Sequence, residues 1–323
     1  IGAASGIFWV KIPSISSLLD TKIYIYYRAA DTADGSDPTN AWDANFVDVY
    51  HLEEVATDHT VNSSTTTHTG TSFRHCNLLT SAGKIDLGFT FDGSSDLVDT
   101  GAVDPVHPLT FSAWIKIADI TIVSPIIANW VGNNGVAFFI YNTAGGNWIE
   151  YQSEAGQVAS TSKVNDTDWH HVAVAVNSSD MYSFYLDGVE CGSNIVGNPP
   201  GVSGNNLHIG HWETYGLHMN GILDEIRISN CLRTFGWIKF EYVNSNTAAG
   251  GLTFGAENTE TFADEADKLQ DSKPVTKVEF IDVDGNVTDI SAWYLEGAQF
   301  EQVKDRAVSE IQAGNFDVVL LNH

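Results

Sequence analysis

The chain has 323 residues, 43% hydrophobic and 11% aromatic, enough for a sizeable core and far from the composition of a disordered polypeptide. Fifteen Lys and Arg stand against 41 Asp and Glu, and the formal charge of −26 repels phosphate backbones and anionic headgroups, so neither nucleic acid nor a membrane is an expected partner. No apolar run approaches the roughly 18 residues of a membrane span, and Cys76, Cys191 and Cys231 match neither a metal clip nor a disulfide framework.

Two β-rich runs come first, Phe8 to Ile12 and Lys22 to Tyr27, separated by Pro13 and serines. Two strands cannot bury a core, so residues 1–45 read as the end of an upstream domain. Ile1 to Trp9 lacks the basic start and cleavage site of a signal peptide, and the start reads as a processed or excised end of a longer polypeptide. Residues 46–258 then alternate short strands with Gly, Asn, Asp and Ser turns and show almost no helical periodicity.

The strands predicted there include Phe46 to Leu52, Leu87 to Phe91, Thr110 to Ile117, Val136 to Tyr141, Trp148 to Gln152, His170 to Val176, Tyr182 to Leu186, Asn206 to Ile209 and Gly221 to Ile228. Phe111, Ala113, Ile115 and Ile117 share one face, as do Val172, Val174 and Val176, the mark of antiparallel sheets with one buried side. Asn133-Asn134-Gly135 and Asp187-Gly188 are hairpin signals. Trp114 and Trp169 are expected in the core. Leu252 to Asn258 reads as a closing strand, residues 259–273 as an acidic linker, and residues 274–323, with VTKVEFIDV, a turn at Asp284-Gly285-Asn286 and FDVVLL, as a small β-rich unit. The terminal runs are candidates to pair with a neighbouring subunit's sheet edge.

Five motifs occur in one order: Phe91-Asp92-Gly93, Phe111-Ser112-Ala113-Trp114-Ile115, Asp168-Trp169-His170-His171-Val172-Ala173, Tyr185-Leu186-Asp187-Gly188, and Asn220-Gly221-Ile222-Leu223-Asp224-Glu225-Ile226-Arg227-Ile228. Together they resemble the laminin-G-like, concanavalin A-like jelly-roll family over about residues 46–258. The resemblance implies an all-β jelly-roll β-sandwich and a carbohydrate- or surface-recognition role, extracellular or on a virion surface. The preceding residues resemble the end of a bacterial domain of unknown function, and the tail loosely resembles a β-domain of phage tail and baseplate proteins.

Within GILDEIRI the even positions place Asp224 among apolar neighbours, and an inward carboxylate needs a partner. The resemblance implies a structural calcium there, with Glu54 or Glu53 and a carbonyl near Gly93 completing the shell; the alternative is that Asp224 caps loop amides. His170 and His171 are adjacent on a strand and point to opposite faces, and His211 and His218 flank a loop without a further ligand at zinc spacing. Glucanases use this fold with a Glu-x-Asp-x-Glu strand, which is absent here, as are nucleophile elbows, phosphate loops and zincin helices. A glycoside hydrolase is therefore the least favoured class.

For a sugar ligand the chemistry needs a ring to stack on and nearby polar groups for hydroxyls. Trp212, Tyr215, His211 and Glu213 lie in one turn-rich segment, and Trp130 heads an Asn-rich loop, so these five are the candidate ligand platform on the rim. The reading is thus a non-catalytic lectin-like module binding a glycan or cell-surface polymer. The alternative is a structural or assembly subunit of a phage tail, capsid or surface filament, whose exposed rings make subunit contacts. The Asn-x-Ser/Thr sequons at Asn62, Asn165, Asn177 and Asn286 carry no weight in either reading.

Overall fold

The alternation between Phe111 and Ile117 is realised in two face-packed antiparallel sheets in a computed structural model, which describes residues 6–12, 40–54, 60–61, 63–65, 68, 70–73, 79–143, 145–154, 156–246, 279–281, 287–289 and 316–322. In chain order the strands are β1 (Gly6–Ile12), β2 (Phe46–Tyr50), β3 (Thr60–Val61), β4 (Gly70–Phe73), β5 (Leu79–Ala82), β6 (Leu87–Asp92), β7 (Leu97–Ala102) and β8 (Leu109–Ile117). Then come β9 (Ser124–Ala128), β10 (Val136–Thr143), β11 (Gly146–Ser153), β12 (Gly156–Lys163), β13 (His170–Val176), β14 (Met181–Leu186), β15 (Val189–Glu190) and β16 (Ile195–Val196). β17 (Asn206–Ile209), β18 (His211–Trp212), β19 (Leu217–His218) and β20 (Asn220–Ser229) precede the helix α1 (Phe235–Asn246), and β21 (Glu279–Ile281), β22 (Val287–Asp289) and β23 (Phe316–Asn322) end the series.

Residues 43–243 form one compact unit and residues 1–42 with 244–323 another. In the first, one sheet runs β12-β11-β10-β9-β17-β7-β4-β3 and the other β15-β14-β13-β8-β20-β6-β5, with β16 on β14 and β2 on β20. Period-two alternation sends Phe111, Ala113, Ile115, Val172, Val174 and Val176 inward from the second sheet, against Ile127, Phe138, Ile140, Ile149, Tyr151, Leu207 and Ile209 of the first. Phe111 bridges the layers, 6.2 Å from the rings of both Phe138 and Tyr151. Each Val, Ile, Leu or Phe buried in this way stabilises the fold by about 1.5–3 kcal/mol. Asp187 and Gly188 both take the positive φ (51° and 70°) that a two-residue hairpin demands.

Strand β20 departs from simple alternation. Its pairing with β8 shifts between Asp224 and Arg227, where Glu225 has φ 52°. This β-bulge changes the parity of the strand: Leu223 faces inward before it, Ile226 and Ile228 after it. Asp224 is consequently on the outer side, a correction to the expected inward placement beside Ile222. Outside that sheet lies α1, begun by Thr234, whose Oγ1 accepts a hydrogen bond from Trp237 N (3.3 Å). Ile238 packs on Ala173, Ala175 and Tyr185, while Tyr242 stacks on Trp114 at 5.7 Å. Trp114 is therefore buried as expected, but beneath the helix and not between the sheets. Trp169 is only half-buried, at a strand entrance.

In the second unit β1 pairs in parallel with β23, Gly6 opposite Phe316 through Ile12 opposite Asn322, so the terminal strands offered to neighbouring chains are hydrogen-bonded to each other. Trp9 packs on Trp42 at 5.3 Å, and β21 and β22 form a hairpin. The strands expected at Lys22 to Tyr27 and Leu252 to Asn258, the linker 259–273, the turn at Asp284 to Asn286, Cys76 and Asn62 lie outside the described residues.

Candidate functional site

Beyond β17, Gly210 (φ 76°) turns the chain so sharply that a Cβ there would meet the Phe91 ring at 2.4 Å. The hairpin β18–β19, closed by a 3₁₀ turn at Glu213–Tyr215, then folds back over the outer face of β9 and β10. That face carries Ala128, Ala137 and Phe139, which need covering. Trp212 covers it, with ring centroids 4.6 Å apart from Phe139, and Trp130 crosses Trp212 edge-on at 5.8 Å.

The structure thus brings the predicted rings together but divides their roles. Trp212 and Trp130 are 4% and 6% exposed, so they are packing residues and not a rim platform. Tyr215 is 58% exposed. One of its faces stacks on Trp130 (5.8 Å, 15°) and Trp212 meets it edge-on at 4.8 Å, which leaves the other face to solvent. Two side-chain hydrogen bonds fix this arrangement, Thr214 Oγ1 to Trp130 O (2.5 Å) and Trp130 Nε1 to Glu154 O (3.2 Å).

Val131 and Glu213, the residues that follow Trp130 and Trp212 in sequence, line a cleft of about 310 Å³ together with Asn129, Gly204, Asn205, Asn206 and His208. Its walls are anchored from below. Asn129 Nδ2 donates to Val103 O (2.7 Å) and Oδ1 accepts from Val136 N (2.9 Å). Asp104 Oδ1 accepts from the backbone N and Oγ of Ser203, both at 2.9 Å. Val131 and Asn134 exchange two backbone hydrogen bonds around Gly132 and Asn133, both with positive φ, so the turn lies one residue earlier than the Asn-Asn-Gly signal. Asn205 and Asn206 reach the cleft from the segment that enters β17.

His208, on the outer face of β17, was not among the predicted site residues. Its Nδ1 lies 3.2 Å from Nδ1 of His211, and Glu213 Oε2 lies 3.7 Å from that same His211 nitrogen. His218 stacks on the far side of His211 at 4.3 Å. Burial lowers the His208 pKa despite the neighbouring Asp99 and Glu213 carboxylates, so the ring is neutral at pH 7. His170 and His171 do face opposite ways: His170 bonds Asp187 (2.8 Å) and Asp166 (2.9 Å), while His171 lies under α1 against Trp114.

Of the expected calcium residues, Glu53 lies near the Asp224 end of the bulge, where burial and then the charges of Glu225 and Asp86 raise its carboxyl pKa. Asp224 Oδ2 accepts from Lys84 N (2.7 Å) and Ile85 N (2.8 Å), the amide-capping alternative, while burial and the charge of Glu225 hold its carboxyl well above the usual range. Gly93 sits at the Asn220 end of β20, about 13 Å along the strand from Asp224. Glu53 is exposed and Glu54 half-buried, and among the described residues the cluster of three metal-ligating side chains is His208, His211 and Glu213. Glu225 and Arg227 instead form a buried network with α1: Arg227 reaches Glu225 Oε2 (3.0 Å) and Glu241 Oε1 (2.9 Å), His51 Nδ1 meets Glu225 Oε1 (2.7 Å), and Ser112 Oγ donates to Glu241 (2.7 Å). Opposite Phe139, burial pushes the Glu150 carboxyl up to about 7 although Gln157 donates to it.

A family model described as the concanavalin A-like lectin/glucanases superfamily matches residues 92–239. Domain 4 of AbnA, a GH43 extracellular arabinanase from Geobacillus stearothermophilus solved with arabinotriose, is similar at a TM-score of 0.51 and 17% identity, over 60% of this chain and 96% of that one. A structure of botulinum neurotoxin type C, described by its dependence on two ganglioside molecules for cell entry, overlaps at a TM-score of 0.47 and 11% identity, over 63% and 52% of the two chains. Ninety residues are 29% identical to the rat sushi, von Willebrand factor type A, EGF and pentraxin domain-containing protein 1, which is 27% of this chain and 2% of that relative's length.

Proposed function

We propose that this concanavalin A-like sandwich is a non-catalytic carbohydrate-recognition module, part of a larger extracellular or cell-surface protein. One observation carries the reading: Tyr215 presents an open ring face, held by Trp130 and Trp212, two residues along the turn from Glu213, which lines a polar cleft with Asn205 and Asn206. A sugar ring has an apolar face for such a stack and hydroxyls for such amides and carboxylates. The arabinanase domain with the same fold, solved with arabinotriose, supports a neutral oligosaccharide as the ligand class. The acidity of the chain favours a neutral glycan over an anionic one.

The test is a glycan array followed by calorimetry with the best neutral oligosaccharide, and Tyr215→Ala is expected to weaken binding about tenfold or more, roughly 1.4 kcal/mol, with Tm unchanged. An array without signal above background, or a variant that binds like the parent chain, overturns the assignment. Product analysis in the same samples checks the non-catalytic part, since cleavage of the bound oligosaccharide contradicts it.

A further inference from the structure

We infer that His208, His211 and Glu213 form a zinc-class transition-metal site whose open coordination position faces the cleft. Nothing in this rests on carbohydrate binding. Straight strand geometry would set His208 and His211, three residues apart, on opposite faces of the sheet. Leu207 and Ile209 do point into the core, and a continued strand would send residue 211 after them. Gly210 cancels that alternation, bringing both imidazoles to the outer side, and the next turn delivers Glu213 to the same point.

The distances suit one ion. With zinc bonds of about 2.0–2.2 Å to nitrogen and oxygen, the edge of a tetrahedral ligand shell is roughly 3.3–3.5 Å. The two Nδ1 atoms are 3.2 Å apart, His211 Nδ1 to Glu213 Oε2 is 3.7 Å, and the three donors lie within 4.8 Å of one another. Two imidazoles and one carboxylate select zinc or a neighbouring divalent transition ion over calcium or magnesium, which require oxygen shells. On the other side of the His208 ring, Asp99 Oδ2 is 4.0 Å from Nε2, a carboxylate placed to orient the ring as outer partners of ligating histidines do. His218 keeps the His211 plane in place by stacking and is not a ligand, its own Nδ1 facing Asp96 O at 3.3 Å. Three protein ligands leave a fourth position, and His208 and Glu213 both line the cleft into which it opens.

The experiment uses the full chain, stripped with chelator and desalted, titrated with zinc chloride in the absence of any sugar. The expected result is one equivalent bound with a dissociation constant of about 1 μM or tighter. Cobalt at the same stoichiometry is expected to show the visible absorption of a four-coordinate ion. Glu213→Ala, whose side chain is 66% exposed and carries no packing, is expected to weaken zinc at least tenfold with an unaltered circular dichroism spectrum, and His208→Gln to abolish one-equivalent uptake. Absence of saturable uptake by the parent chain reduces the histidine contact to an N–H···N hydrogen bond and overturns the site, as does uptake that both variants retain. Either failure leaves the glycan assay untouched, so the two readings fall separately.

Discussion

Arg227→Met removes the guanidinium that bridges Glu225 and Glu241, in a pocket where Arg227 is 4% exposed. Burial alone raises the Glu241 carboxyl, yet Arg227, His171 and Ser112 outweigh it and hold it at about 2 against an ordinary 4.5. At 1.36 kcal/mol per pKa unit that depression corresponds to about 3 kcal/mol, within the roughly 3–5 kcal/mol typical of stripping one partner from a buried ion pair. A depressed acid contributes its stability above its unfolded value of 4.5 and loses it as pH falls through about 2. In the variant Glu241, left with Ser112 and His171 but without the guanidinium, is protonated more readily, so the deficit narrows toward acid. For a unit of about 200 residues each kcal/mol moves Tm by about 2–4 °C, so about 3 kcal/mol gives a drop of about 6–12 °C at pH 7.5 and a smaller one at pH 4.5. Denaturant unfolding followed by tryptophan fluorescence, with calorimetry at both pH values, measures it. A loss below about 1 kcal/mol at pH 7.5, or one that does not change with pH, refutes the account of the network.

Glu150 works in the other direction. Its folded pKa of about 7 lies above 4.5, so the stability it carries is complete below pH 4.5 and is lost as pH rises through 7; Glu150→Gln should gain more in Tm over the parent at pH 8 than at pH 5, and equal gains contradict the assignment. Asp224→Ala leaves the Lys84 and Ile85 amides without their acceptor and is expected to cost about 1–3 kcal/mol in denaturant unfolding. Only one oxygen of Asp224 is committed to amides, so a calcium held at the other is expected to raise the Tm of the parent chain and not that of Asp224→Ala; a parent Tm unmoved by excess calcium argues against the metal.

The sandwich was legible because its inner residues obey period two: Phe111 to Ile117 and Val172 to Val176 pack where alternation put them. α1 was not, because the residues it buries at helical spacing are Ile238, Glu241, Asn244 and Ser245, an apolar residue with three polar ones, and a polar buried face gives no hydrophobic period. The ring cluster at Trp130, Trp212 and Tyr215 was found by composition of the loops, but burial of two of the three depended on Ala128, Ala137 and Phe139, outward residues that sequence alone does not mark as needing cover. His208 was passed over because strand geometry separates it from His211. The signal that corrects this is Gly210 itself, a glycine at the end of a β-run followed directly by polar turn residues. Asp224 was placed on the wrong side for a related reason, since Glu225 carries no sequence mark of the left-handed conformation it adopts.

The extra residue at Glu225 also guards the molecule against mispairing. Were β20 to hydrogen-bond straight through from Leu223, Glu225 and Arg227 would take the places of Ile226 and Ile228 and enter the apolar space between the layers, while two isoleucines faced the charged underside of α1. Slippage by one position is thereby made costly twice over, and a central strand that touches both neighbours has a single admissible alignment.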